Sequence, residues 1–169
     1  SRNYRRIIMN YIVRKGQKND MAAVWFLIKE LAFFENEPDA VEVTIEDLER
    51  DGFSERPRFE IYVGELENEI VGIALFYFRY STWKGPTIHL EDLIVREDKR
   101  SLGIGRSLYN EVMRYAFSKN VRRVEWDVLD WNSRAIEFYE KTGAIMHKEW
   151  NAVKMYEKQL ATYVDEISV

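Results

Sequence analysis

A β-rich run at residues 87–95 leads, through Arg100-Ser-Leu-Gly103-Ile-Gly105, into a helical pattern over 102–118. No other feature of the chain constrains its fold as much. Glycine lets the backbone turn sharply and come close to a ligand. The first turn of a helix carries N–H groups without intrahelical partners and a partial positive charge. Together they make an anion site suited to a pyrophosphate, with Arg100 and Arg106 adding charge. The run is not a dinucleotide-binding fingerprint, because Leu108 stands where a third glycine would be. It is not a triphosphate-binding loop either, since no Gly-Lys-Ser/Thr follows. Taken alone, it also reads as a glycine-rich helix start with nothing bound.

The remaining pattern supplies a sheet and its cover. Residues 10–14 alternate as a first strand, and 20–34 form a helix with Trp25, Leu27, Ile28, Leu31 and Phe34 on a wide apolar face. Thr44-Ile-Glu-Asp47 has capping-box spacing and starts a short helix that ends near Gly52. Runs 59–66 and 70–80 make a hairpin around Glu67-Asn68-Glu69. A further strand is predicted at 121–128, and Asn132 caps a helix that stops at Gly143. Residues 144–150 and 152–158 read as a closing hairpin or two strands. This order predicts an α/β protein with a central mixed sheet and helices on both faces. At 169 residues, one core and a single domain over 10–160 are expected. Residues 1–9 then form an extension, and 161–169 a tail of unassigned structure.

Composition narrows the function. The chain has no cysteine, which excludes disulfides, thiolate metal sites and a cysteine nucleophile, and is compatible with a reducing cytoplasm. Its longest charge-free runs, 21–28 and 70–78, are far shorter than the ~20 apolar residues that span a bilayer, so no membrane partner is expected. A net charge of −4 argues against nucleic acid. Residues 30–69 hold 14 acidic against 3 basic side chains, and 96–123 hold 8 basic against 3 acidic. Such a chain suits a cation in one place and a polyanion in another, or simply two solvated helix faces. His89 and His147 are the only histidines, far apart in sequence and without cysteine partners, so no metal site is expected.

A second motif, Asn132-Ser-Arg-Ala135-Ile-Glu-Phe138-Tyr139-Glu-Lys-Thr-Gly143, follows the first about thirty residues on. The pair, in this order and at this distance, resembles the GNAT superfamily of N-acetyltransferases. Tyr80-Ser-Thr-Trp83-Lys-Gly85, Leu90-Glu-Asp92 and Val128-Leu-Asp-Trp-Asn132 narrow the resemblance. They look like the spermidine/spermine (diamine) N-acetyltransferase family, most of all its thialysine-acetylating branch. In the polyamine-preferring branch an aspartate takes the place of Ser81, which argues against long polyamines here.

The resemblance implies acetyl-CoA as co-substrate, a small-molecule amine as acceptor, a GNAT fold and a homodimer. Arg100, Ser101, Leu102, Gly103, Ile104, Gly105 and Arg106 then hold the pyrophosphate. Asn132, Ala135, Phe138 and Tyr139 lie along the pantetheine arm. Asn132 is the helix cap, a contact to acetyl-CoA, or both. Leu93, Ile94 and Val95 lie on a strand that in the family is bulged, and a backbone N–H there suits the carbonyl oxygen of the thioester. An alkylamine attacks only as the free base, so a proton acceptor is needed. By resemblance Glu91 is that base, through a water, and Tyr139 gives a proton to the leaving thiolate. Phe34, Glu35, Ser81, Trp83, Asp92 and Trp150 are the expected amine site, with carboxylates for the ammonium and tryptophan faces for cation–π contact. Strand alternation predicts that Glu91 and Asp92 point to opposite faces. The alternatives are acetylation of a protein lysine, a protein N-terminus or an aminoglycoside, or a regulator that binds CoA without turnover.

Overall fold

The computed structural model describes residues 10–168, so the expected extension at 1–9 lies outside the described residues. Five strands form one sheet in the order β1 (Tyr11–Lys15), β2 (Glu60–Leu66), β3 (Glu69–Ser81), β4 (Gly85–Val95) and β5 (Val124–Glu125). The first four pair antiparallel, and β4 pairs parallel with β5. The sheet is therefore mixed, as the sequence predicts. Glu67 and Asn68 turn the β2–β3 hairpin with φ of 52° and 63°, the left-handed pair that matches strand twist.

Residues 71–76 of β3 are buried one after another, because both faces of this central strand are covered. On one face, Ile61, Val63, Ile73, Leu75 and Ile94 pack with Met21, Val24 and Leu27 of α1 (Met21–Phe34) and Leu48 of α2 (Ile45–Gly52). The predicted capping box opens α2: the Asp47 N–H donates to Thr44 Oγ1 at 3.1 Å, and the Thr44 N–H to Asp47 Oδ2 at 2.9 Å. The opposite face receives α3 (Ile104–Ser118). Gly64 and Gly72 face each other across β2 and β3 and leave room for its first turns. A Cβ on Gly64 would stand 2.7 Å from Ile104 Cγ2, and one on Gly72 3.0 Å from Leu108 Cδ1. Two bare backbones thus set how closely the glycine-opened helix approaches the sheet.

The chain divides into two compact units, one ending at Asp127 and the other beginning at Val128. The second holds α4 (Ser133–Lys141) and α5 (Glu157–Ile167). Asn132 caps α4, its side chain accepting from the Ala135 N–H at 3.3 Å, and Gly143 follows at φ 95°.

Two expectations are corrected here. The strand expected at 121–128 shrinks to two residues. The segments expected as a hairpin, 144–150 and 152–158, contain no strand among the described residues, and α5 begins at Glu157. The tail from residue 161, left unassigned by the sequence, continues α5 as far as Ile167. Leu160, Tyr163, Val164 and Ile167 recur at helical spacing, and that period outweighs the β-rich look of the residues before it. Among the described residues no helix is long and apolar enough to cross a membrane.

Candidate active site

The β3–β4 ladder slips at one point. Leu75 pairs with Asp92 and Phe76 with Leu90, so Glu91 is an extra residue on β4, a β-bulge. The bulge undoes the alternation expected from sequence. Tyr77 and His89 pair two rungs from Leu75 and share the face of Leu75 and Asp92. The Glu91 carboxylate lies with them: Tyr77 Oη donates to Glu91 Oε2 at 2.9 Å, and His89 Nε2 stands 3.3 Å from the same oxygen. Glu91 and Asp92 therefore share one face instead of pointing apart.

Asp92 is half-buried, and its carboxyl is pushed up to about 7. Desolvation is the main cause, followed by the negative charges of Glu91 and then of Glu35 at the end of α1; a positive charge on the nearby His89 would oppose them. Partial desolvation also raises Glu35. Three acidic side chains from two elements thus bear on one spot, which favours a cation there and gives one group a proton affinity matched to neutral pH.

Beside this spot β4 has an open edge. Its pairing with β5 ends at His89↔Glu125, and among the described residues 91–95 carry no further ladder pair on that side. Leu93 and Ile94 pair back to β3, and the Ile94 side chain is core. Val95 ends the strand against the start of α3, where a Cβ on Gly105 would lie 3.3 Å from Val95 Cγ2. Gly103 caps the helix at φ 90°, and Ser101 is also left-handed at φ 68°. Tyr11 Oη donates to the Gly103 carbonyl oxygen at 3.2 Å and lies 2.6 Å from Ser107 Oγ, which pins this turn to β1. A tight turn without a Cβ at Gly103, at the positive end of a 15-residue helix and flanked by Arg106, is chemically fitted to a diphosphate such as that of CoA.

Other expected residues are placed differently. The Arg100 guanidinium sits 5.5 Å from the centre of the Phe34 ring, donates through Nε to the Val95 carbonyl oxygen at 3.1 Å and approaches Glu30 at 4.0 Å. The ring expected to face the substrate ammonium thus faces an arginine expected on the pyrophosphate. Ser81 Oγ accepts from the Trp83 and Lys84 N–H groups, both at 3.1 Å, so it shapes the β3–β4 turn. Trp83, 82% exposed, projects from that turn. Ser81 lies six residues along β3 from Leu75, the partner of Asp92, so the turn is roughly 20 Å along the ladder from the acidic cluster. Within the second unit Phe138 and Tyr139 form a tilted ring pair with centroids 5.5 Å apart, Ala135 lies in the first turn of α4, and Trp150 is exposed.

Sequence reasoning passed over Tyr77 and weighed His89 only as a metal ligand. Only the β3–β4 register brings residues 77, 89 and 91 together, and the bulge that does so leaves no mark in the residue pattern.

A mixed sheet with a bulged, open-edged strand running into a glycine-opened helix is the fold of the GNAT acetyltransferases. The Acetyltransferase (GNAT) family profile matches residues 22–144, and the chain belongs to that family. It is an N-acetyltransferase, of a family that uses acetyl-CoA as co-substrate. It is 37% identical over 141 residues to thialysine N-epsilon-acetyltransferase of Bos taurus, covering 79% of this chain and 83% of that protein. It is 34% identical over 149 residues to spermidine/spermine N(1)-acetyltransferase-like protein 1 of Homo sapiens, covering 83% of this chain and 21% of that longer protein. Among solved structures, an integron cassette protein from the mobile metagenome of V. cholerae shares the fold with a TM-score of 0.76 at 20% identity, covering 92% of this chain and 98% of that one.

Proposed function

We propose that the protein moves an acetyl group from acetyl-CoA to a primary amine of a small diamine or polyamine, or of a lysine analogue such as thialysine. The gathering of Glu35, Glu91 and Asp92 at the β4 bulge, beside the open strand edge and the start of α3, carries this reading. The relatives named for thialysine and for spermidine/spermine support it.

Acetyl-CoA brings an acetyl group activated as a thioester. The backbone N–H groups of the turn and first helical residues from 101 to 106 hold its diphosphate, with Arg106 adding charge. Arg100 joins them on leaving Phe34 and the Val95 carbonyl. By the motif resemblance, Asn132, Ala135 and Phe138 are assigned to its pantetheine arm. A backbone N–H among Leu93, Ile94 and Val95 stabilises the carbonyl oxygen as charge develops on it. Glu35 and Asp92 attract the substrate ammonium. Glu91 takes its proton through a water, so that the neutral nitrogen attacks the acetyl carbon directly, and by the motif resemblance alone Tyr139 is assigned the return of a proton to the departing sulfur.

Ser81 and Trp83 are too far along their own ladder to join Asp92 in one chain. They join the amine site only if a second copy brings its β3–β4 turn to the first, so the working form is a homodimer. Its cysteine-free chain suits the reducing cytoplasm.

Thiol release measured with a panel of small diamines, polyamines and thialysine tests the reading. At least one is expected to turn over, and Glu91→Gln is expected to lower kcat/KM by about ten- to ten-thousand-fold. Release with none of them from protein that binds acetyl-CoA, or a higher kcat/KM on a protein amine, overturns it.

A further inference from the structure

The imidazole of His89 is buried between the acidic cluster and β5, and the roles proposed above leave it unused. Its two ring nitrogens have different neighbours. Nδ1 lies 3.0 Å from Arg79 Nη1. A guanidinium has only donors, so Nδ1 accepts, and the one ring hydrogen of a neutral imidazole must sit on Nε2. That nitrogen stands 3.3 Å from Glu91 Oε2, the oxygen to which Tyr77 Oη donates at 2.9 Å. Behind the ring, Glu125 on β5 pairs with Arg79 at 2.5 Å and with Arg123 at 2.8 Å, and approaches Nδ1 at 3.9 Å. The arginine that sets the tautomer is thus itself anchored from the neighbouring strand.

We infer that His89 is a positioning residue for Glu91: a neutral imidazole, its tautomer set by Arg79, whose Nε2–H and the Tyr77 hydroxyl meet on one carboxylate oxygen and fix the plane of the base. The inference rests on the reading of Glu91 as base. The arrangement suits a bulge, where an extra residue lacks a ladder position to orient it and side-chain hydrogen bonds do so instead. Donors on a carboxylate also favour its charged form. The groups facing the ring are Tyr77 and Arg79 on β3, Glu91 and Asp92 on β4, and Glu125 on β5, with Arg123 just before β5 paired to Glu125.

Two measurements test this. In the two-bond ¹H–¹⁵N spectrum of the whole protein near neutral pH, with His147→Gln removing the other histidine, His89 is expected to carry its hydrogen on Nε2. An Nδ1–H tautomer or an imidazolium overturns the inference. In kinetics, His89→Met keeps the volume but loses the donor. It is expected to lower kcat about 10-fold, the loss of one hydrogen bond to a charged group. The KM for acetyl-CoA should stay unchanged, and the acidic limb of the pH–rate profile should move to higher pH. His89→Gln, which keeps an N–H at nearly the same place, is expected to recover most of kcat. Equal losses in the Met and Gln variants mean the ring only packs, and overturn the inference. Wild-type kinetics in His89→Met, with Glu91→Gln impaired, overturn it and leave the base reading standing. Wild-type kinetics in Glu91→Gln overturn both.

Discussion

Asp92 shows how a single side chain takes its chemistry from its neighbours. An aspartate at a strand end in water is ionised well below neutrality, but here desolvation and two like charges lift the carboxyl from 3.8 to about 7. Between those values the folded protein binds a proton that the unfolded chain has released. Stability therefore falls as pH rises through this window. Asp92→Asn is expected to flatten that fall, making the protein more stable than wild type above about pH 7 and little different below about pH 4. Urea unfolding at a series of pH values checks it, and parallel curves for the two proteins would refute the assignment. The Leu-Glu-Asp motif is legible in the sequence, and resemblance gives its residues roles. Its geometry is not legible: alternation puts Glu91 and Asp92 on opposite faces, and the extra residue at 91 brings them to the same one.

At the scale of elements, the approach of α3 to the sheet carries the argument. Gly103 and Gly105 announce the helix start, but the distance between helix and sheet is set by Gly64 and Gly72, forty residues and thirty residues upstream. Gly64→Ala places a methyl carbon 2.7 Å from Ile104 Cγ2. It is expected to cost about 1–3 kcal/mol as the first turn moves outward. It should also raise the KM for acetyl-CoA with little change in the KM for the amine. Thermal melts and steady-state kinetics read the two effects; an unchanged KM for acetyl-CoA would mean that this turn does not hold the diphosphate. The elements themselves were largely legible. The capping box at Thr44, the Asn132 cap and the Gly143 stop are local chemistry within four residues of the helix ends they mark. The C-terminal strands were misread because short β-rich runs become strands only where a sheet edge is available to pair with them.

At the scale of the whole molecule, the expected amine site falls into separate groups within one chain. Glu35 and Asp92 act together, whereas Ser81 and Trp83 sit at a hairpin turn roughly 20 Å along the ladder. A homodimer that shares its turns is expected to sediment at twice the monomer mass at micromolar concentration. Mixing inactive Glu91→Gln with Trp83→Ala protein should restore part of the activity, because one of the two sites then has both residues intact. A monomer, or no recovery on mixing subunits that exchange, would place the amine elsewhere.

Sequence alone determined the mixed α/β order, because periodicity, capping and glycine chemistry act over a few neighbouring residues, while the acetyl-CoA motifs and the roles of the acidic residues came from its resemblance to a known family. Tertiary structure decided the rest: the slip in register at Glu91, the Tyr77 hydroxyl and the His89 ring that meet it, and the Arg100 guanidinium over Phe34. The first two depend on which rung of β3 faces which rung of β4, and the third on how the turn before α3 meets the end of α1, contacts between residues far apart in the chain.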